Sequence, residues 1–216
     1  MALRYQKLNA FPQTKFDELV KVYHDTVPDP NAFADNMKSH SYQWPRTGIK
    51  VAQTEFDLGS EFQPTAFFMM SKPFGQMSHI HLDPTLQFTL NIPIATHPSK
   101  GAYLAPRFDS LDDYPKPYHI KSPRIDDPTY KGPKQWDVWD YDANLFEYVK
   151  MDSPILINNW LPHAWMNYHS EWRVVCSIFF KTTNINEAQE IVSKWQSGQQ
   201  VRHQHGEKIP ERKKAQ

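Results

Sequence analysis

Apolar side chains recur along this chain at two different periods. Phe16, Leu19, Val20 and Tyr23 fall at i, i+3, i+4 and i+7, and Ala188, Ile191, Val192 and Trp195 repeat that spacing towards the other end. A period of 3.6 residues places each set on one helical face, so the pattern predicts two amphipathic helices packed on a core. Thr14 precedes the first set with Asp17 in its opening turn, and Asn184 precedes the second with Glu187 behind it. Side-chain oxygens at those positions accept the N–H groups that a helix start leaves open, so Thr14 and Asn184 are the expected caps.

Between the helices the pattern shortens. Residues 65–70, 86–94, 153–160 and 172–181 are rich in β-branched and aromatic side chains and are bounded by Pro, Asn or Asp, with briefer runs of the same kind at 49–56 and 146–151. Such runs predict strands. Many strands with helices confined to the two ends argue for a mainly β sandwich or barrel and against alternating βαβ units. Residues 95–140 show neither period and are dense in Pro, Asp, Tyr and Lys, which predicts a long loop that covers a site or merely decorates an edge. Beyond residue 196 the chain is polar and carries Lys208, Arg212, Lys213 and Lys214, the composition of a disordered tail. The expected organisation is one domain over 1–196 with an insertion at about 95–140, followed by the tail at 197–216.

Composition narrows the function classes. The 216 residues carry 24 basic and 24 acidic side chains with a pI near 7.2, lacking the basic excess of a dedicated polyanion binder, so a nucleic-acid partner is unsupported. Cys176 is the one cysteine and no Asn-x-Ser/Thr site occurs, so nothing marks an oxidising compartment. The longest wholly apolar run, Ala66 to Met70, is far short of the roughly 20 residues that cross a bilayer, and Met1 to Leu8 lacks an apolar signal core. A soluble, cytoplasmic, non-secreted protein is expected, with no membrane partner. With 7 glycines and neither Gly-x-Gly-x-x-Gly nor Gly-x4-Gly-Lys-Ser/Thr, a phosphate-cradling loop is also unexpected.

Candidate chemistry centres on Ser78-His79-Ile80-His81-Leu82-Asp83. In extended backbone His81 and Asp83 project to one face, as two-thirds of a two-histidine, one-carboxylate site for ferrous iron. With 15 aspartates and 10 histidines, chance supplies on the order of one His-x-Asp, so a third ligand has to carry the argument. His163 offers it, directly after Pro162 and flanked by Trp160 and Trp165 at the end of an apolar strand. Arg173 lies ten residues on, in Trp172-Arg-Val-Val-Cys-Ser-Ile-Phe-Phe180, where alternation sends Arg173, Val175, Ser177 and Phe179 to one face. An arginine in such a strand calls for an anion, either a ligand's carboxylate or a neighbour such as Glu171 at an exposed strand end. The rival readings of the three candidate ligands are a surface His-Asp pair and a satisfied core histidine.

His81-x-Asp83, His163 and Arg173 together resemble the iron(II)- and 2-oxoglutarate-dependent dioxygenases. Leu90-Asn91-Ile92-Pro93-Ile94 resembles the strand that follows the His-x-Asp in small bacterial and phage members and in the aspartyl/asparaginyl hydroxylase-like branch. Pro154 to Asn159, Pro162-His163 and Asn167 are similar to the distal-histidine strand and turn, so the likeness spans roughly residues 65–181 through sparse motifs. The resemblance implies a double-stranded β-helix, a jelly-roll or cupin-like barrel, with His81, Asp83 and His163 on Fe(II). It also implies 2-oxoglutarate as cosubstrate with its C5 carboxylate on Arg173, Asn91 and Thr89 lining the polar strand face, and hydroxylation of an unidentified substrate by dioxygen with release of succinate and CO2. Where many members have Arg-x-Ser, Val175 stands here and Ser177 lies two residues further on, so either another residue assists Arg173 or the cosubstrate sits differently.

Two other readings compete. His79-x-His81-x-Asp83 is similar to the metal motif of metallo-β-lactamase-fold zinc hydrolases, although Pro84 stands where that motif continues with histidine. A jelly-roll binding or structural module without catalysis would leave the histidines incidental.

Overall fold

The computed structural model describes residues 4–8, 13–27, 29, 46–52, 62–71, 78–83, 87–95, 101–122, 134–180, 182 and 184–196. These residues form twelve strands, a 3-10 turn at Leu111–Asp113 and two helices, α1 (Gln13–Thr26) and α2 (Ile185–Gln196). The strands are β1 (Tyr5–Lys7), β2 (Arg46–Ala52), β3 (Phe62–Ser71), β4 (Ile80–His81), β5 (Phe88–Ala95), β6 (Gly101–Pro106), β7 (Tyr118–Lys121), β8 (Gln135–Trp139), β9 (Phe146–Lys150), β10 (Ile155–Asn158), β11 (Ala164–Asn167) and β12 (Arg173–Phe180). The expectation of a mainly β chain with helices at its two ends holds. No helix among the described residues is long and apolar enough to cross a membrane.

All strand pairs are antiparallel, in a six-stranded sheet of order β1-β10-β5-β12-β3-β2 and two three-stranded sheets, β11-β6-β9 and β4-β8-β7. No sheet is closed among the described residues. A single bridge, His81 to His163, joins β4 to the start of β11 and so links the two small sheets. From β3 to β6 and again from β9 to β12, successive strands cross between the large sheet and the small ones.

Two layers of apolar contact explain this order. Val174, Cys176, Ile178 and Phe180 point from β12 to one face of the large sheet, where they meet Leu19 and Tyr23 of α1 and Ala188, Ile191 and Val192 of α2. The side chain of Trp195 lies outside the described set. Val175 faces the other way, joining Ile155, Ile157, Tyr103, Ala105, Val149 and Trp165 between the large sheet and the β11-β6-β9 sheet. Period-2 alternation thus buries both faces of β12, so its sequence is apolar almost throughout. A third cluster, with Ile80, Leu104, Trp139, Phe146 and Met166, lies on the far face of the small sheets under Tyr114.

Cys176 reports on the first layer. It is fully buried, and burial pushes its thiol well above the ordinary value, which suppresses the reactive thiolate. Native protein is expected to resist maleimide while denatured protein labels fully; native labelling within tenfold of the denatured rate would show that this core opens freely.

Two details differ from the sequence expectation. Helix α1 begins at Gln13, so Thr14 sits inside its first turn and does not cap it, whereas Asn184 Oδ1 accepts the Asn186 N–H at 3.0 Å and caps α2 as expected. The segment 95–140, lacking period in the sequence, holds β6, β7 and β8. Its strands are four to six residues long, too short for alternation to register among the Pro and Asp of the intervening sequence. Residues 123–133 and the tail at 197–216 lie outside the described residues, as do 53–56 of an expected strand.

Candidate metal centre

Backbone hydrogen bonds assemble this site. His81 and His163 exchange N–H···O=C bonds in both directions at 3.0 Å, holding the two residues directly opposite one another. Two further bonds flank that pair: Ser78 N–H to Trp165 O at 2.9 Å and Asp83 N–H to Asn159 O at 3.0 Å. The short His-x-Asp segment is thereby stitched to the β10–β11 turn, and its carboxylate is brought over the two imidazoles.

His81 Nε2 lies 3.6 Å from Asp83 Oδ1, and His163 Nε2 lies 3.7 Å from Asp83 Oδ2. All three ligand atoms fall within 4.8 Å of one another. Separations of 3.6 and 3.7 Å exceed a hydrogen bond but fit within the roughly 4.2 Å that two ligands about 2.1 Å from one ion can span. Each histidine ring is also turned for ligation. His81 Nδ1 sits 2.7 Å from His79 O and His163 Nδ1 3.0 Å from Leu161 O, and since a carbonyl can only accept, each Nδ1 carries a proton and Nε2 is the nitrogen that faces the cluster. His163 Nε2 is buried with no hydrogen-bond partner among the described residues, an expensive arrangement unless an ion takes the lone pair. The donor set of two imidazoles and one carboxylate suits Fe(II) and leaves positions open for other ligands. Asp83 is 39% exposed while both histidines are buried, so the site opens on the carboxylate side.

Behind the cluster lies a buried polar band. Arg173 is 2% exposed, and its guanidinium carbon lies 4.7 Å from the Trp165 ring centroid. This burial disposes of an exposed strand end, and Glu171 is itself largely solvent-facing. Ser177 Oγ donates to Asn91 Oδ1 at 2.5 Å, and Asn159 Nδ2 donates to Thr89 Oγ1 at 2.5 Å. Asn91 Nδ2 remains buried without a partner among the described residues.

Sequence reasoning missed Tyr103. Its ring packs 4.7 Å from Trp165 and 6.1 Å from His163, between the metal cluster and the indole beneath Arg173. The hydroxyl is fully buried with no partner among the described residues, and burial raises its pKa well above the usual tyrosine value, so it stays a neutral donor. The available signal was Gly101-Ala-Tyr-Leu-Ala-Pro106, a short apolar run between Gly and Pro in which Tyr103 and Ala105 share a face. His79 behaves otherwise than a zinc-hydrolase motif requires: its side chain is exposed, its carbonyl orients His81, and it lies outside the ligand cluster.

No protein-family profile and no curated protein sequence matches the chain. Among solved structures, the E. coli ycfD structure is similar at 14% identity and a TM-score of 0.34, covering 74% of this chain and 38% of its own. A Burkholderia pseudomallei oxidoreductase described as of the 2OG-Fe(II) oxygenase family is similar at 10% identity and a TM-score of 0.33, covering 83% and 94%. HygX from Streptomyces hygroscopicus, solved with nickel, 2-oxoglutarate and hygromycin B, is similar at 11% identity and a TM-score of 0.30, covering 76% and 66%. This chain therefore spans well under half the length of the first. Likenesses of this degree leave the functional argument to the side chains of the site.

Proposed function

We propose that this protein is an Fe(II)- and 2-oxoglutarate-dependent dioxygenase that hydroxylates a substrate while oxidising 2-oxoglutarate to succinate and CO2. The observation that carries the reading is the convergence of His81, Asp83 and His163, with a buried arginine within the same sandwich interior. The strand crossing supports it at the level of fold. Four central strands of the large sheet, β10-β5-β12-β3, face β9-β6-β11 and, across the histidine bridge, β4. That order supports the reading of a double-stranded β-helix.

On this reading His81, Asp83 and His163 would hold Fe(II), with 2-oxoglutarate as cosubstrate. Bound iron supplies the activation of dioxygen that organic side chains cannot. The chain's own contribution is placement. The carbonyls of His79 and Leu161 hold a proton on each Nδ1 and so orient each Nε2 toward the cluster, and the histidine pair fixes their spacing. Arg173, its guanidinium carbon 4.7 Å from the Trp165 ring centroid, takes the far carboxylate as a charge-assisted pair. Tyr103, whose buried hydroxyl has no partner among the described residues and whose ring packs on Trp165, is the donor assigned to assist Arg173, since Val175 has none to offer. Asn91, braced by Ser177, offers Nδ2 to the same interior, while Thr89 steadies Asn159 and through it the Asp83 segment.

Anaerobic addition of Fe(II) and 2-oxoglutarate is expected to give a weak visible charge-transfer absorption, and aerobic incubation a slow release of succinate. Absence of both in folded, iron-supplied protein would sink the assignment. Tight binding of two zinc ions with no effect of 2-oxoglutarate would favour a hydrolase instead.

A further inference from the structure

A line of rings leads from the metal cluster to the protein surface. Tyr103 is fully buried with its ring 6.1 Å from that of His163, and the Tyr5 ring stands edge-on to Tyr103, also at 6.1 Å, with 80° between planes. Strand pairing accounts for the second contact: Tyr5 lies beside Ile157 of β10 and packs against the cluster that holds Ile155, Ile157 and Tyr103. Tyr5 is half-buried, so this is where the line meets solvent.

The outer end of the line has a proton acceptor. The Tyr5 hydroxyl donates to Glu147 Oε1 at 3.3 Å, and Arg4 at 3.5 Å and Arg107 at 3.9 Å hold that carboxylate in place. A phenol gives up an electron far more readily when a positioned base takes its proton at the same time. Tyr103 has no such acceptor among the described residues, and gains one only when the far carboxylate assigned to Arg173 meets its hydroxyl. The loaded site therefore equips both phenols. Trp165 lies nearer to Tyr103, at 4.7 Å, but the Arg173 guanidinium sits 4.7 Å from its ring, and that positive charge opposes loss of an electron from the indole. Trp136, stacked on His81 at 5.2 Å, is the competing exit.

Resting on the dioxygenase reading, we infer that Tyr103 and Tyr5 form a redox relay, which carries an oxidising equivalent from the metal to the surface when no prime substrate is present. Conversion of 2-oxoglutarate and dioxygen to succinate and CO2 leaves one oxygen atom and two oxidising equivalents at the iron. Tyr103 passes one electron to the metal while its phenol proton moves to the succinate carboxylate. Tyr5 then returns an electron to Tyr103, which takes its proton back, and the Tyr5 proton goes to Glu147. The net result is a Tyr5 radical, a protonated Glu147 and ferric iron, the oxygen having taken a proton from solvent as hydroxide. The relay spares the ligand histidines and Trp165 from oxidation during idle turnover.

The test uses full-length protein with Fe(II), 2-oxoglutarate and oxygen, without prime substrate, in the presence of the radical trap 2-methyl-2-nitrosopropane. Peptide mass spectrometry locates the adduct while succinate is measured alongside. The adduct is expected mainly on Tyr5 and is expected to vanish without oxygen. Glu147→Gln keeps a hydrogen-bond acceptor but removes the base, so the Tyr5 adduct per succinate formed is expected to fall about tenfold. Tyr103→Phe at saturating 2-oxoglutarate is expected to lower it as well. Tyr148 and Tyr168, 55% and 56% exposed, report any oxidant loose in solution. An adduct spread over those two as heavily as over Tyr5, one on Trp136 or Trp165 in place of Tyr5, a Tyr5 adduct undiminished in Glu147→Gln or Tyr103→Phe, or succinate release with no Tyr5 adduct would each overturn the relay. If the wild type forms no succinate, the dioxygenase reading itself falls.

Discussion

Asp83→Ala is expected to weaken Fe(II) affinity by about 100-fold or more, with little change in folding stability. The magnitude follows from what the change removes. Loss of an outer hydrogen bond to a metal ligand already costs 10–100-fold, and here a ligand itself is lost together with its charge. Stability is spared because Asp83 is 39% exposed and its backbone N–H bond to Asn159 is independent of the side chain. The histidines offer no such clean separation: both rings are fully buried, so His81→Ala or His163→Ala opens a cavity as well as removing a ligand. Anaerobic Fe(II) or Mn(II) titration alongside thermal melting distinguishes the two effects. Retention of metal affinity within threefold in Asp83→Ala, with the fold intact, would mean that the carboxylate is not a ligand.

How much of this was legible in the sequence depends on whether a residue's neighbours are local. Helix α2 and its Asn184 cap, strand β12 and the alternation that turns Arg173 inward are all set by spacing within one segment, and they could be read directly. The pairing of His81 with His163 is not local. It rests on backbone bonds between segments some eighty residues apart, so the sequence offered only residue types suited to a ligand set. Strand β4 spans just Ile80–His81, too short for any period, and β11 is four residues long; both exist because neighbours complete their ladders. The segment 95–140 failed for a related reason. Its strands alternate, but each for so few residues that the Pro and Asp of the sequence between them dominate the composition. Tyr103 was hidden inside one of them, although the sequence did raise the question that its proposed role answers: which group assists Arg173 when Val175 stands where a serine is common.

The second large effect follows from the proposal that the far carboxylate of 2-oxoglutarate meets both Arg173 and Tyr103, each of which packs on Trp165. Arg173→Met is expected to weaken 2-oxoglutarate binding on the order of 100-fold, because truncating one partner of a desolvated, hydrogen-bonded charge pair costs several kcal/mol. Methionine keeps much of the volume and can still pack on the Trp165 ring, so the loss is not merely a collapse of the interior. Tyr103→Phe removes a neutral donor and keeps the ring contacts with Trp165 and His163, so a loss of about tenfold is expected. If both groups hold the same carboxylate, the double variant loses less than the product of the two. Pyruvate, a 2-oxo acid without the far carboxylate, is expected to bind weakly and equally to the wild type and all three variants. Thermal shift adds an independent readout: ligand at a hundredfold excess over its Kd stabilises the wild type by about 2.7 kcal/mol, and at the same concentration Arg173→Met gains only a few tenths. Binding of 2-oxoglutarate to Arg173→Met within threefold of wild type, or equal discrimination against pyruvate in the two proteins, would show that the carboxylate lies elsewhere and that the buried guanidinium serves the sandwich interior alone.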